Sequence, residues 1–446
     1  MATTIDVVVA VVGAGPVGGA LACRLAAAGL AVAVIDRAAL PPMEHPDFDG
    51  RAYAIAAGSR PLLDVAGLWD LLPFAPCPIL GIRVTDGRLG HLPSPLSLAF
   101  DHREAGAGAG PFGWMVEARS LRMALNVRLG SLPSLAVFAP AEVRVERSEE
   151  GVRLSLSDGR EIGARLVVAA EGRDSPLARA ARIPVTRFSY RQQAIVSAVA
   201  HVRPHQNIAL EHFLPSGPFA QLPMSAAMTK RGPAEHVSAI VWTEPTPLAD
   251  ALYALDDARF GAEIARRLGP GLGAVRPIGR RFRYPLSALF AHRATDLRLA
   301  VVGDAAHNIH PIAGQGLNLG LRDAIALAGL IEAAVAAGED PGGPALLARY
   351  QRAVRARNLL MLAATDGLER LFSNDFPSLR LARDLGIAAV GRMPPLKRFF
   401  IRQATGVGRS GPRSGSLPAG RGRRAPGPRL PASAAGSDPP PASRGA

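Results

Sequence analysis

Cysteine is almost missing: 446 residues carry only Cys23 and Cys77. That excludes a disulfide-stapled secreted fold and fits a reducing compartment. Aromatic residues are sparse at 5%. With 48% apolar and 20% charged residues, most of the chain can bury a core, which excludes wholesale disorder. Length alone allows two to four domains.

The net charge of +14 is unevenly placed. From Gly408 on, seven arginines face a single acid, Asp438. That tail has no aromatic residue on which a base could stack, so it does not read as a nucleic-acid surface. Sixteen of its 39 residues are Gly or Pro, and only Leu417 and Leu430 are large and apolar. Residues 408–446 are therefore expected to be disordered. Their mix of Arg, Gly, Pro, Ala and Ser is also what GC-rich codons give when read out of frame.

One apolar stretch, Val7 to Ile35 with Arg24 as its only charge, is long enough to suggest a membrane span. No positive segment precedes it, as a signal peptide would require, and five glycines interrupt it. Their spacing fits a βαβ unit instead. The β-branched run Ile5–Val12 reads as a buried parallel strand. Gly13-Ala-Gly15-Pro-Val-Gly18 follows, then a helical run to Ala28, a second strand over 31–35, and Asp36. Gly13 permits a tight turn, Gly15 lets a pyrophosphate approach the backbone, and Gly18 lets helix and strand pack closely. The helix N-terminus offers unpaired N–H groups to phosphate. Asp36 is placed to accept hydrogen bonds from a ribose. Together these predict an adenine dinucleotide site without separating FAD from NAD. Arg37 would lie over the adenine side.

A second constellation starts at the strand Arg298–Val302, which delivers Gly303-Asp304. His310-Pro-Ile-Ala-Gly314-Gln-Gly316-Leu317-Asn318-Leu-Gly-Leu-Arg-Asp323 leads into a helix. This predicts another helix N-terminus aimed at an anion, beside an acid able to bind a hydroxylated chain. His307 and His310 have no third ligand at metal-motif spacing, so no metal is expected. A third strand over 165–170 ends in Glu171-Gly172-Arg173-Asp174-Ser175, with Ser175 as a helix cap.

His310 to Asp323 resembles the flavin-dependent aromatic hydroxylases of the p-hydroxybenzoate hydroxylase type, and within them the ubiquinone-biosynthesis hydroxylases (UbiH type). The resemblance covers residue 5 to about 406. It implies an α/β fold: a GxGxxG FAD-binding parallel-sheet domain with an inserted mixed β-sheet substrate domain. The implied segments are FAD-binding parts at 1–182 and 283–345, a substrate-binding sheet at 183–282, C-terminal helices at 346–407 and the tail at 408–446.

By the same resemblance Asp304 binds the ribityl–pyrophosphate part of FAD. Gly314 shapes the loop, and Gly316, Leu317 and Asn318 supply N–H groups at the pyrimidine edge of the flavin. Glu171 stands where the family usually has Asp, in a motif credited with touching both FAD and NAD(P)H. Arg51 resembles the arginine that reaches FAD. The polar contact at the start of the helix after Val116 falls to either Glu117 or Arg119. No catalytic side chain is assigned beyond the flavin-edge backbone.

Between these motifs, short strands are expected near 193–202, 208–214, 220–224 and 236–243, with turns at Gly217-Pro218-Phe219 and Pro223. Phe213, Phe219, Leu222, Met224 and Trp242 are candidates for either pocket or core. Leu346 to Leu371 reads as a helix. Leu396–Arg402 is basic and aromatic and suits either a membrane surface or docking on its own domain.

The implied activity is hydroxylation of a polyprenylated phenol in ubiquinone biosynthesis. NAD(P)H would reduce FAD, and O2 would form a flavin C4a-hydroperoxide that delivers one OH group. With no second GxGxxG, NAD(P)H is expected to dock transiently. A ubiquinone-biosynthesis complex and peripheral contact with the inner membrane of a cytoplasmic protein stay open. So do two other readings, a different FAD oxidoreductase (a prenyl-lipid reductase or an oxidase) and a non-catalytic flavoprotein subunit.

Overall fold

The computed structural model describes residues 4–40, 48–87, 89, 97–105, 109–229, 232–234, 236–310 and 314–372, with isolated positions between 392 and 406. These positions fall in one compact unit, Met1–Gly408. The tail from Arg409, the helical pattern expected over 379–390 and most of 396–402 lie outside the described residues.

Val9, Val11, Leu166 and Val168 point to one side of a parallel sheet, and Ala10, Val12, Val167 and Ala169 to the other. A strand apolar on both faces must be covered on both. Five of its eight strands, Leu299–Val301, Glu161–Ala169, Thr4–Val12, Val32–Ile35 and Leu135–Phe138, run parallel in that order, and Thr295–Asp296, Val152–Leu156 and Val143–Arg147 join at the sides antiparallel, so the sheet is not purely parallel as expected. The helices Pro16–Ala27 and Gln315–Ala336 pack on one face. The three sequence motifs therefore follow three adjacent strands at their carboxyl ends, where ligands bind in open α/β sheets.

The close approach at this edge needs glycine. A Cβ on Gly18 would sit 2.1 Å from the Gly13 carbonyl oxygen and 2.8 Å from Ala170 Cβ. Gly13 itself has φ of +106°, and a Cβ there would lie 2.3 Å from the Ala170 oxygen.

Asp323 anchors the third loop. Fully buried, it meets His307 Nε2, receives Arg357 Nη2 at 2.7 Å and Asn358 Nδ2 at 3.1 Å, and lies 3.4 Å from the Gly303 N–H. Burial alone would push its carboxyl up, but His307, Arg357 and Asn358 hold it below the ordinary value.

The second sheet is mixed and has eight strands. Its order is His307–Asn308, Val275–Ala291, Val185–His201, Val237–Pro245, Gly217–Met224, Ile208–Leu214, Gly81–Asp86, Leu98–Asp101. The sequence placed this sheet at 183–282, yet two of its strands come from 81–101. Val275–Ala291 runs as one strand through position 282, paired with Val185–His201 in three stretches separated by two register shifts.

The turns expected at Gly217-Pro218-Phe219 and Pro223 are strand instead. Each proline sits where one neighbouring strand has stopped pairing. Pro218 precedes the first pair with Val237–Pro245, and Pro223 lies past the last pair with Ile208–Leu214. One missing N–H therefore costs no ladder bond on both sides.

One face of this sheet carries Ile195, Phe219 and Trp242 and is packed by the helices Thr246–Tyr253 and Asp257–Leu268. Phe219 and Trp242 are thus core, not pocket. The opposite, inner face packs Ala198, Ala209, Met224 and Ala239 against Phe48, Ile79, Met115 and Ile401. Near the C-terminus, Ile401 is buried in that core, Thr405 accepts a bond from the Gly58 N–H, and Lys397 pairs with Glu104. These contacts dock the described part of this segment on its own unit.

Two outcomes test this account. Gly18→Ala should destabilise the protein by about 1–3 kcal/mol through overpacking, read as a lower thermal midpoint. Because the Asp323 carboxyl is depressed in the fold, its stabilisation is present above the unfolded value of about 3.9 and is lost as pH falls through the lower folded value. Asp323→Asn should cost about 3–5 kcal/mol near neutral pH. Its gap from the parent in urea midpoint should shrink below pH of about 4.

Candidate active site

The three loops enclose one cavity of about 930 Å³, at the upper end of the ~300–1,000 Å³ usual for small-molecule sites. Of the residues singled out in the sequence, Gly13, Gly15, Asp36, Arg37, Glu171, Asp304, Gly314, Gly316 and Leu317 line it. Gly18, Arg51, Arg119 and Asn318 are not in its lining.

Two of the three helix N-termini that line the cavity lack an internal cap. Gly15 precedes Pro16–Ala27 and Gly314 precedes Gln315–Ala336. Neither end has a side-chain cap bond or an acid in its first turn. A Cβ added to Gly15 or Gly316 would meet nothing within 4 Å, so the space above both is open. The helix at Pro176 contrasts with them. It is capped by Ser175, whose Oγ accepts the Ala178 N–H at 3.2 Å. Uncapped, open N-termini leave orphan N–H groups and a positive dipole end for an anionic ligand.

Asp36 accepts the Ala14 N–H at 2.7 Å and the Ala38 N–H at 2.9 Å. These bonds fix its carboxylate at the mouth of the glycine loop. Asp304 lines the cavity and is exposed to it. Partial desolvation by the surrounding protein raises its carboxyl, and His307 and Arg173 partly offset the shift. Glu171 is likewise raised by burial and bonded to Ser175 Oγ.

Asn318 works as a splice. Its Oδ1 accepts the Ala56 N–H at 2.8 Å, and its Nδ2 donates to the Ala54 and Gly314 oxygens at 2.7 and 3.2 Å. It ties the strand Ala52–Ala56, which lines the cavity through Ala52, Tyr53 and Ala54, to the start of the long helix. Arg51 pairs with Asp49 at 2.7 Å and lies over the Phe282 ring at 4.8 Å. It therefore bridges the cavity wall to the mixed sheet.

Glu117 and Arg119, the two alternatives left open in the sequence, both lie outside the cavity lining. The two pair with each other at 2.6 Å, both buried, and Arg119 stacks over Phe74. Arg122, one helical step on, reaches the glycine loop instead, its Nη1 donating to the Ala14 oxygen at 2.8 Å. Helical spacing was the available signal. Leu125, three residues further along the same face, would touch a Cβ placed on Gly19. Tyr53, Asn308 and Ile309 also line the cavity without a motif to announce them.

His307 is engaged by Asp323, and buried His310 packs edge-on against Tyr190 with ring centroids 4.8 Å apart. Burial pushes His310 down to about 4, so it is neutral at physiological pH. Among the described residues no cluster of His, Cys, Asp and Glu could hold a metal, and no helix is long and apolar enough to cross a membrane.

Comparisons with known proteins agree with this site. The family model described as FAD binding domain matches residues 6–365. The chain is 50% identical over 405 residues to "Ubiquinone hydroxylase UbiL" of Rhodospirillum rubrum, covering 91% of this chain and 90% of that one. It is 33% identical to the 3-demethoxyubiquinol 3-hydroxylase of Escherichia coli, covering 90% and 98%. Two solved structures share the fold. PqsL of Pseudomonas aeruginosa has a TM-score of 0.67 at 21% identity, covering 86% of this chain and 99% of that one. The p-nitrophenol 4-monooxygenase PnpA of Pseudomonas putida has a TM-score of 0.69 at 19% identity, covering 90% and 98%. A fold built on two large sheets, a cavity with two open helix ends, and relatives matched over about nine-tenths of the chain converge: the chain belongs to the FAD-binding domain family, among the ubiquinone-biosynthesis hydroxylases of the UbiH type.

Proposed function

We propose that this protein is an FAD-dependent monooxygenase that hydroxylates the ring of a polyprenylated phenol in ubiquinone biosynthesis, with NAD(P)H and O2 as co-substrates. The observation that carries the reading is the cavity at the three strand ends, with two uncapped helix ends opening into it, in a chain half identical to a ubiquinone hydroxylase along nearly its whole length.

The cavity residues suit FAD. The uncapped helix end at Gly15 would hold the pyrophosphate, Asp36 the ribose, and Arg37 the adenine side. Arg122 braces the glycine loop from below through the Ala14 carbonyl. Asp304 would hold the ribityl–pyrophosphate part, and Glu171 lines the same cavity. Gly314, Gly316, Leu317 and the Asn318 backbone would face the pyrimidine edge, where the dipole of the 22-residue helix favours negative charge. Bound FAD supplies the redox and oxygen chemistry, which side chains cannot. The chain's own tasks are to orient the ring, keep water out and stabilise charge at the flavin edge.

In this reading 1–182 and 283–345 form the FAD-binding part, 183–282 with the strands over 81–101 forms the substrate sheet, and 346–407 closes the unit. NAD(P)H docks transiently. Leu359 and Leu360, exposed on the Pro344–Phe372 helix, would suit peripheral contact with the inner membrane or a biosynthetic complex.

Two experiments check this. Aerobic NADPH oxidation by the FAD-loaded protein should rise severalfold with a short-chain prenylphenol, and the product should gain one oxygen by mass. Bound FAD with oxidation indifferent to the phenol would point instead to a reductase or a non-catalytic subunit. Asp304→Ala should weaken FAD binding by about 10- to 100-fold, the worth of one hydrogen bond to a charged group. Titration of the apoprotein with FAD reads this directly.

A further inference from the structure

The mixed sheet buries two glutamates, one on each face. Glu244, on the helix-packed face, is held by a cation and an indole through one oxygen, Oε1. Its carboxylate accepts Trp242 Nε1 at 2.7 Å and Arg267 Nη2 at 3.2 Å. Glu211 lies on the inner face, in the strand Ile208–Leu214, in register with Ala209, which packs toward Met115 and Phe48. It is nine-tenths buried. Among the described residues its carboxylate makes no ion pair, and burial is the sole influence on it, pushing it up to about 8. A carboxyl left this way costs stability, so a structural role gives no reason for it.

Strand register places Glu211 in a row across the inner face: Val84, Glu211, Ala220, Val241, Val196, Phe282. Every other member is apolar. Val241 and Val196 lie on central strands, yet both stay only half-buried. Central-strand valines on a face turned toward the protein interior are normally covered, so part of this face is open. At the far end Phe282 lies beneath Arg51, whose neighbour Ala52 lines the cavity. The open row thus leads from the cavity wall to one unpaired acceptor. The other carboxyl on this face, Asp86, sits two residues along the adjoining strand and is itself bonded.

We propose that Glu211 is the specificity-determining residue that receives the hydroxyl of the substrate's ring. The row's apolar members would contact the ring and its chain, and the only polar group offered to Glu211 is the phenolic O–H. That hydrogen bond supplies the partner the empty site lacks and favours the ionised carboxylate. A site built to bond a hydroxyl discriminates strongly against an analogue without it, because its own polar group is then left unpaired.

This inference rests on the phenol-hydroxylase reading. Its test is the ratio of dissociation constants for a short-chain prenylphenol and its O-methyl ether, read from perturbation of the FAD absorbance in the loaded protein without NADPH. The parent should prefer the phenol by about 10- to 100-fold. In Glu211→Leu the ratio should fall toward one, with Glu211→Gln between, while FAD content holds and the thermal midpoint does not drop. A ratio unchanged within twofold in Glu211→Leu overturns the proposal. So does a parent with no preference, or a loss of both ligands that follows a loss of FAD. If the parent hydroxylates the phenol but the ratio stays fixed, only this inference fails. If the parent neither binds nor hydroxylates it, the functional reading fails as well.

Discussion

The contact between Gly18, Gly13 and Ala170 sets the spacing on which the site depends. It lets the first helix approach the sheet edge with backbone against backbone, so that its N-terminus opens at the level of the second loop. The same device recurs across the cavity. A Cβ on Gly320 would lie 2.8 Å from Val17 Cγ2 and 3.0 Å from Gly303 Cα. The long helix is thereby held against both the first helix and the Asp304 loop. Any side chain at these contacts would push the elements apart and separate the three strand ends that share a ligand.

Close packing alone does not orient the loops; buried polar knots do. Asp323 joins the 303–307 loop to both long C-terminal helices. Asn318 joins the cavity-lining strand to the helix start. Both are buried, and each makes several of its bonds across large sequence separations. These groups are satisfied internally, whereas the helix ends at Gly15 and Gly314 carry no side-chain cap. That division between satisfied scaffold and uncapped helix ends is the physical signature of a pre-formed binding site.

Much of the ligand side was legible in the sequence because it is local. A strand, its glycines and its acid lie within 32 residues, and the second motif runs from Asp304 to Asp323 without interruption. What escaped is long-range. Gly81–Asp86 pairs with Ile208–Leu214, more than 120 residues away, so nothing near it announces the mixed sheet. Pro218 and Pro223 look like turn residues until the ends of the neighbouring strands are known. Arg122 carries no motif, and Glu117 and Arg119 look available until burial pairs them. Glu211, alternating with Leu210 and His212, reads as an ordinary solvent-facing strand residue. Only the strand pairing that turns it onto the sheet's inner face buries it.

A crystal structure of the FAD-loaded protein with a short-chain prenylphenol tests the central claim most directly. The account predicts the pyrophosphate against Gly13–Gly15, the flavin's pyrimidine edge against Gly314–Leu317, and the phenol ring on the inner face of the mixed sheet. FAD bound away from these two helix ends, or the phenol on the face that carries Trp242, would contradict it.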